Sequence, residues 1–167
     1  MTAPIALVVA RAADGTIGHE GKIPWRIPAD MLHFKAVTLG KPCVMGRKTW
    51  ESLPKKPLPR RTNIVVTRDR AFAAEGTAIV HSFAEAIARA EAEHPSEIAI
   101  IGGADLYREA LPQADRVYLT EVQGTFDGDV RLPPFDPNDW QEAAREDHPA
   151  EQGIPAFSFV TLERRAK

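Results

Sequence analysis

Ile5-Ala6-Leu7-Val8-Val9-Ala10 is a continuous apolar run, the pattern of a strand buried on both faces of a sheet. Such a strand needs a layer on either side, and the downstream sequence alternates strand and helix signals. Pro42-Cys43-Val44-Met45 reads as a strand, and Gly46-Arg47-Lys48-Thr49-Trp50 opens a helix that must stop near Leu53, because Pro54, Pro57 and Pro59 follow. Residues 63–67 and 78–80 read as strands. Ser82-Phe83-Ala84-Glu85 is a capping box that starts an alanine-rich helix ending before Pro95. A strand over 97–101, a Gly102-Gly103 turn and a short helix over 104–110 stopped by Pro112 come next. Beyond them only strands are expected, at 117–120 and 157–162, joined by a loop rich in Asp, Gly and Pro. This order predicts an α/β fold in one domain spanning 1–167: a central, mostly parallel twisted sheet flanked by about four helices, with an antiparallel C-terminal strand at its edge.

The bulk numbers agree. A chain of 167 residues, 44% hydrophobic and 26% charged, can bury a core without staples. Its net charge of -2 offers no basic field for nucleic acid. The single cysteine, Cys43, forms no internal disulfide and suits a reducing cytosol. The apolar N-terminus lacks the basic start of a signal peptide, and no apolar run approaches the ~18 residues of a membrane span. A cytoplasmic location is expected.

Between the first strand and the first helix, residues 11–28 carry Asp14-Gly15, Gly18, Gly21, Pro24 and Pro28 and read as a long, mobile loop, of a length that is usually functional or disordered. Pro28 then stands where a helix tolerates proline, and the helix is expected to run to about Leu39, with Gly40 beyond it. Within Ile23-Pro24-Trp25-Arg26-Ile27-Pro28-Ala29-Asp30-Met31-Leu32-His33-Phe34-Lys35, one carboxylate lies among apolar residues just inside the helix. A solvated first-turn acid favouring the helix dipole is the commoner case. Trp25 and Ile27 on one side and Phe34 on the other suggest instead a pocket wall, where a carboxylate needs a donor-rich partner.

Val44-Met45-Gly46-Arg47-Lys48-Thr49 runs from strand through glycine into a helix with two cations, and Ile100-Ile101-Gly102-Gly103-Ala104-Asp105-Leu106-Tyr107 repeats the strand–glycine–helix corner. Free N–H groups at a helix start bind phosphate, and glycine lets backbone approach closely. Either corner alone is equally well a plain turn. Two of them in one small sheet would flank a single cleft at the carboxyl ends of the strands. The dinucleotide fingerprint G-x-G-x-x-G, the P-loop and G-x-S-x-G are absent. The five histidines show no metal-ligand spacing, so no metal is expected.

Taken together these segments resemble the bacterial, single-domain dihydrofolate reductases, over nearly the whole chain. The resemblance rests on Ile17-Gly18, Ile23-Pro24-Trp25, Ile27-Pro28-Ala29-Asp30, Phe34-Lys35, 44–52, Pro57-Leu58-Pro59 with Arg61-Thr62-Asn63, Ile101-Gly102-Gly103, Tyr118-Leu119-Thr120, Gly128-Asp129 and 162–165. It implies reduction of 7,8-dihydrofolate to tetrahydrofolate, with hydride passing from NADPH to pterin C6 and a water-borne proton to N5.

It also implies roles. Asp30 would grip the pterin N3–H and 2-amino group through two parallel hydrogen bonds, with Thr120 sharing the network. Trp25 and Ile23 would belong to the catalytic loop that excludes bulk water. Met31, Phe34, Leu53 and Leu58 would line the slot for the p-aminobenzoyl ring, and Arg61 would pair with the glutamate α-carboxylate. Val8, Ala10 and Ile101 would offer backbone carbonyls near the pterin and nicotinamide. NADPH would meet Ala10, Ile17, Gly18, Gly46, Arg47, Lys48, Thr49, Thr67, Arg68, Ile101, Gly102, Gly103, Ala104, Asp105, Leu106 and Tyr107, with Arg47 and Arg68 toward the 2′-phosphate. The partners implied are dihydrofolate and antifolate inhibitors, with no nucleic acid or membrane, and a monomer is expected.

The sequence departs from the family in carrying Ala104 where a third glycine is frequent and Ile23 where methionine or leucine is frequent. An extra residue lies among Pro54-Lys55-Lys56-Pro57. Two other readings share the cleft: a pyrimidine reductase of the riboflavin route, and a folate- or nucleotide-binding module without turnover. Trp25, Asp30, Phe34 and Arg61 together disfavour the first, and Asp30, Thr120 and both glycine corners the second.

Overall fold

The computed structural model describes residues 3–18, 23–126 and 128–166. Strand β1 (Ile5–Ala12) lies inside an eight-stranded sheet, and its two-sided apolar pattern is used as such. Ile5, Leu7 and Val9 face a core shared with Val44, Ile64 and Ile100 and with Phe83, Ala86, Ala90, Leu106 and Ala110 of the helices. Val8, on the opposite face, packs with Met45, Trp50, Val65 and Ile101, against which Phe34 and Val37 rest.

The elements follow as β2 (Thr16–Gly18), α1 (Pro28–Thr38), β3 (Cys43–Gly46), α2 (Arg47–Ser52), β4 (Asn63–Val66), β5 (Thr77–Val80), α3 (Phe83–Glu91), β6 (Ile98–Gly102), α4 (Ala104–Ala110), β7 (Arg116–Val122), β8 (Val130–Arg131), β9 (Trp140–His148) and β10 (Phe157–Arg164). A single 3-10 turn, Leu111–Gln113, absorbs Pro112 after α4. The capping box forms with a shift of one residue. The Ser82 hydroxyl accepts from Glu85 N at 3.0 Å, while the Glu85 carboxylate reaches back to His81 N at 3.0 Å.

In the sheet the order is β5-β4-β3-β6-β1-β7-β10-β9, parallel from β5 to β7 and antiparallel thereafter. The expected mixed α/β architecture is therefore the observed one. Its antiparallel edge is two strands wide, because β9 pairs outside β10 in the stretch that reads as loop. Apart from Trp140 and the half-buried His148, β9 is exposed, so it carries no apolar alternation to announce it. Arg145 holds Glu121, Glu142 and Asp147 along this edge, the charged dressing that discourages further strand pairing. Residues 11–28 are likewise less open than their composition suggests: β1 extends to Ala12, and β2 pairs with β8. Residues 19–22 of that loop lie outside the described residues.

The chain begins at β1, moves outward through β3, β4 and β5, then returns to place β6 between β3 and β1. The carboxyl ends of β1, β3 and β6 thus meet where strand order reverses, the usual cleft of an open α/β sheet. The opposite end is closed by charge. Buried Glu97 accepts from Lys41 Nζ at 2.7 Å, Tyr118 Oη at 2.9 Å and Arg116 Nη1 at 3.0 Å. These partners repay the desolvation of that carboxylate.

Candidate active site

At the carboxyl ends of β3 and β6 the two glycine corners come together. Neither α2, entered at Gly46, nor α4, entered at Gly103, has a side-chain cap. A Cβ built on Gly46 would lie only 3.8 Å from Gly103 N, so the two uncapped helix starts share one space. Gly102 has φ +140°, and a Cβ there would meet Thr49 Oγ1 at 2.9 Å, so the corner requires glycine. The Gly102–Gly103 peptide is cis. These converging N–H groups fit the pyrophosphate of a dinucleotide.

The cations around the corners are placed unequally. Arg47 Nη1 is 3.1 Å from Asp69 Oδ2 and its Nε 3.3 Å from Glu51 Oε2, with the guanidinium 4.4 Å above the Phe72 ring. It is thereby oriented at the carboxyl ends of β3 and β4. Lys48 and Arg68 are exposed and Thr67 half-buried just beyond the same two strands. On α4, Ala104 and Asp105 occupy the first turn, whereas Leu106 and Tyr107 turn inward to the core. Only the backbone of Leu106 is left to face a ligand. The buried Tyr107 hydroxyl donates to Val8 O at 2.7 Å, so it holds the end of β1 that borders the cleft. Ala10, half-buried, and Ile101, buried, stand beside it, and Ile17 and Gly18 lie on β2.

Across the cleft, Pro28 occupies the first turn of α1 and Asp30 follows it. The Thr120 hydroxyl, from β7, donates to Asp30 Oδ1 at 2.6 Å. Burial pushes the Asp30 carboxyl up from its ordinary value, while the Thr120 hydrogen bond and the neighbouring His33 pull it down. Asp30 is thus a carboxylate with one fixed donor and an unmet demand for more. Trp25 is buried against Ala12, Ile27, Val122 and Phe157, and Phe126 lies edge-on to it at 4.9 Å. Its Nε1 is buried and unpartnered, a donor available to a bridging water or ligand. Ile23 is 58% exposed at the loop surface.

Met31 is exposed, while Phe34, Leu53 and Leu58 are half-buried against the Val8–Met45–Trp50 core. Asn63, which sequence reading placed in a motif without a role, is the clamp of this wall. Its Oδ1 accepts from Leu58 N at 2.8 Å, and its Nδ2 donates to Leu58 O and Arg61 O, both at 3.0 Å. Arg61 is aimed by donating from Nε to Pro59 O at 2.9 Å and from Nη1 to Thr38 Oγ1 at 3.0 Å. These two bonds fix the direction of the guanidinium.

The profile of the dihydrofolate reductase family matches residues 4–164. The chain belongs to the dihydrofolate reductase family. It is 47% identical over 162 residues to the dihydrofolate reductase type 3 of Salmonella typhimurium, covering 96% of this chain and 98% of that one. With the dihydrofolate reductase of Neisseria meningitidis serogroup A it shares 42% over 156 residues, 93% of this chain and 95% of the relative. Among solved structures it resembles the dihydrofolate reductase of Enterococcus faecalis complexed with NADP(H) and RAB-propyl. The TM-score is 0.89 at 34% identity, over 98% of this chain and 97% of that one.

Side chains that sequence reading did not single out also border the site. Phe126 is carried to Trp25 because its backbone N–H donates to Asp14 Oδ2 at 3.1 Å. His33 and Phe159 stack beside Asp30 and Thr120. The spacing Asp30-x-x-His33 was a usable signal, since residues three apart share a helix face. Phe159 reaches the site only through strand pairing. Among the described residues, no helix is long and apolar enough to cross a membrane.

Proposed function

We propose that this chain reduces 7,8-dihydrofolate to 5,6,7,8-tetrahydrofolate with NADPH, as a single-domain cytoplasmic enzyme acting as a monomer. The observation that carries the reading is the Asp30 carboxylate, held by Thr120 of β7, two strands from the paired, uncapped helix starts at the carboxyl ends of β3 and β6. NADPH, when bound, supplies the hydride that reaches pterin C6. The chain's own residues bind, orient and exclude water around that event.

The N–H groups at Gly46–Thr49 and Gly103–Asp105 would hold the pyrophosphate. Arg47, steadied by Asp69 and Phe72, would meet the 2′-phosphate together with Arg68, and Lys48 adds countercharge. Asp30 would accept the N3–H and 2-amino hydrogens of the pterin. It stands toward the pyrimidine edge, so it stabilises the N5-protonated substrate electrostatically rather than handing over the proton. Water admitted near Ile23 would carry that proton, and the free Trp25 Nε1 is a donor suited to fixing such a water. Phe34, Leu53, Leu58 and Met31 would hold the p-aminobenzoyl ring, and Arg61 the glutamate α-carboxylate. The same slot would accept antifolate inhibitors.

Mixing the protein with NADPH and dihydrofolate and following cofactor absorbance tests this. Folate-dependent oxidation is expected. Oxidation with a ribosylated aminopyrimidine and none with dihydrofolate would point to the riboflavin-route alternative, and binding without oxidation to a non-catalytic module.

A further inference from the structure

His33 follows Asp30 by three residues on α1, so their side chains share a helix face with Cβ atoms about 5–6 Å apart. The imidazole lies flat against Phe159, with centroids 3.9 Å and planes 13° apart. Phe159 is the strand partner of Thr120, whose hydroxyl holds Asp30. Phe159 also meets His148 at 5.1 Å, and His148 Nε2 is 2.8 Å from Glu146 Oε2. A ring stacked in this way is kept beside Asp30 instead of sweeping through solvent.

Among the described residues, the titratable neighbours of the pair can be named. Burial, the largest influence, and His148 oppose the His33 cation, while Asp30 on its own helix and Glu146 on β9 favour it. Asp30 in turn feels Thr120 and His33. Tyr107, the remaining group that senses Asp30, is buried with its hydroxyl bonded to Val8 O, and burial pushes it up, so it stays neutral. Burial moves the Asp30 carboxyl up from 3.8 and the His33 imidazole down from 6.5, bringing the two titrations toward each other. Each of the two charges therefore acts on the titration of the other.

We propose that His33 is a positioning residue of the reductase site: held on Phe159, its protonated ring keeps the Asp30 carboxyl ionised, and its deprotonation releases that hold. The proposal rests on the reading of Asp30 as the substrate anchor. It adds that the acid side of the enzyme's pH dependence belongs to the Asp30–His33 pair and not to Asp30 alone.

Two NMR titrations of the intact protein test it, following labelled Asp30 Cγ and the His33 ring. In His33→Phe, which keeps an aromatic on Phe159, and in His33→Gln, the Asp30 midpoint rises. In Asp30→Asn the His33 midpoint falls by the same amount, because coupling between two sites is reciprocal. The acid limb of kcat/KM for dihydrofolate shifts upward in both His33 variants, with KM for NADPH unchanged. An Asp30 midpoint that stays put in either His33 variant, or a His33 midpoint that ignores Asp30→Asn, overturns the coupling. A purely structural His33 would change Tm without moving either midpoint. Reciprocal shifts in a protein that never oxidises NADPH with dihydrofolate would support the pair while rejecting the reductase reading, so the two fail separately.

Discussion

The Thr120 hydroxyl donates to Asp30 Oδ1 across 2.6 Å, tying the middle of β7 to the first turn of α1. It is a side-chain bond across 90 residues of sequence. It leaves the carboxylate partly satisfied in a partly buried setting, which is a ready state for a ligand that brings two more donors.

Asp30→Asn is expected to lower turnover with dihydrofolate by about a hundredfold to a thousandfold, the usual loss when a preorganised charge is removed. NADPH affinity should not change. Stability should move the other way. The folded-state value of Asp30 is raised, so between 3.8 and that value the native state keeps a proton the unfolded state has lost, and stability falls as pH rises through it. Asp30→Asn should therefore raise Tm at pH 7 and leave it unchanged well below pH 4, as calorimetry at the two pH values will read.

Thr120→Val removes the hydroxyl that helps keep Asp30 ionised. A hydrogen bond to a charged group contributes about 1.5–3 kcal/mol, so dihydrofolate affinity should fall roughly tenfold to hundredfold. Thr120→Ser, which keeps the donor, should recover most of it in the same binding titration.

Arg61→Leu should weaken binding of dihydrofolate by a similar factor while leaving a tail-less pterin nearly unaffected. Equal losses for the two ligands would place Arg61 in the architecture of the wall instead of on the glutamate. Asn63→Ala separates these possibilities, because it should release both Leu58 and Arg61 and harm both ligands.

The two glycine corners make opposite predictions. Gly102→Ala forces a side chain into φ +140° and onto Thr49 Oγ1, at a cost of about 1–3 kcal/mol in stability. Gly46→Ala meets nothing closer than 3.8 Å in the protein itself, so its Tm should hold. Its added methyl nevertheless fills the space between the helix starts, and NADPH affinity should drop. Thermal melts with and without NADPH distinguish the pair of variants.

Cys43 is fully buried, and burial pushes its thiol up to about 12. At pH 8 it should resist thiol reagents in the native protein and react only as the chain unfolds. The modification rate should therefore follow denaturant concentration.

The sequence by itself determined the elements whose signals are local. The apolar run of β1 announces burial on both faces, Ser82 and Glu85 announce the start of α3, and Pro28 announces the start of α1 with Asp30 inside it. The residue types around Asp30, Arg61 and the two glycine corners were legible too, because carboxylate, guanidinium and glycine each suit few chemistries. Tertiary structure decided what depends on neighbours distant in sequence. Strand β9 exists because β10 offers it hydrogen bonds, since its own charged pattern resembles a loop. The corners lie together only because β6 inserts beside β3, bringing Gly46 and Gly103 within reach of each other. Asn63 became a clamp, Leu106 a core residue, and His33 a neighbour of Phe159 for the same reason. Local propensity is written residue by residue, whereas the pairing of remote strands is settled by which surfaces can be buried together.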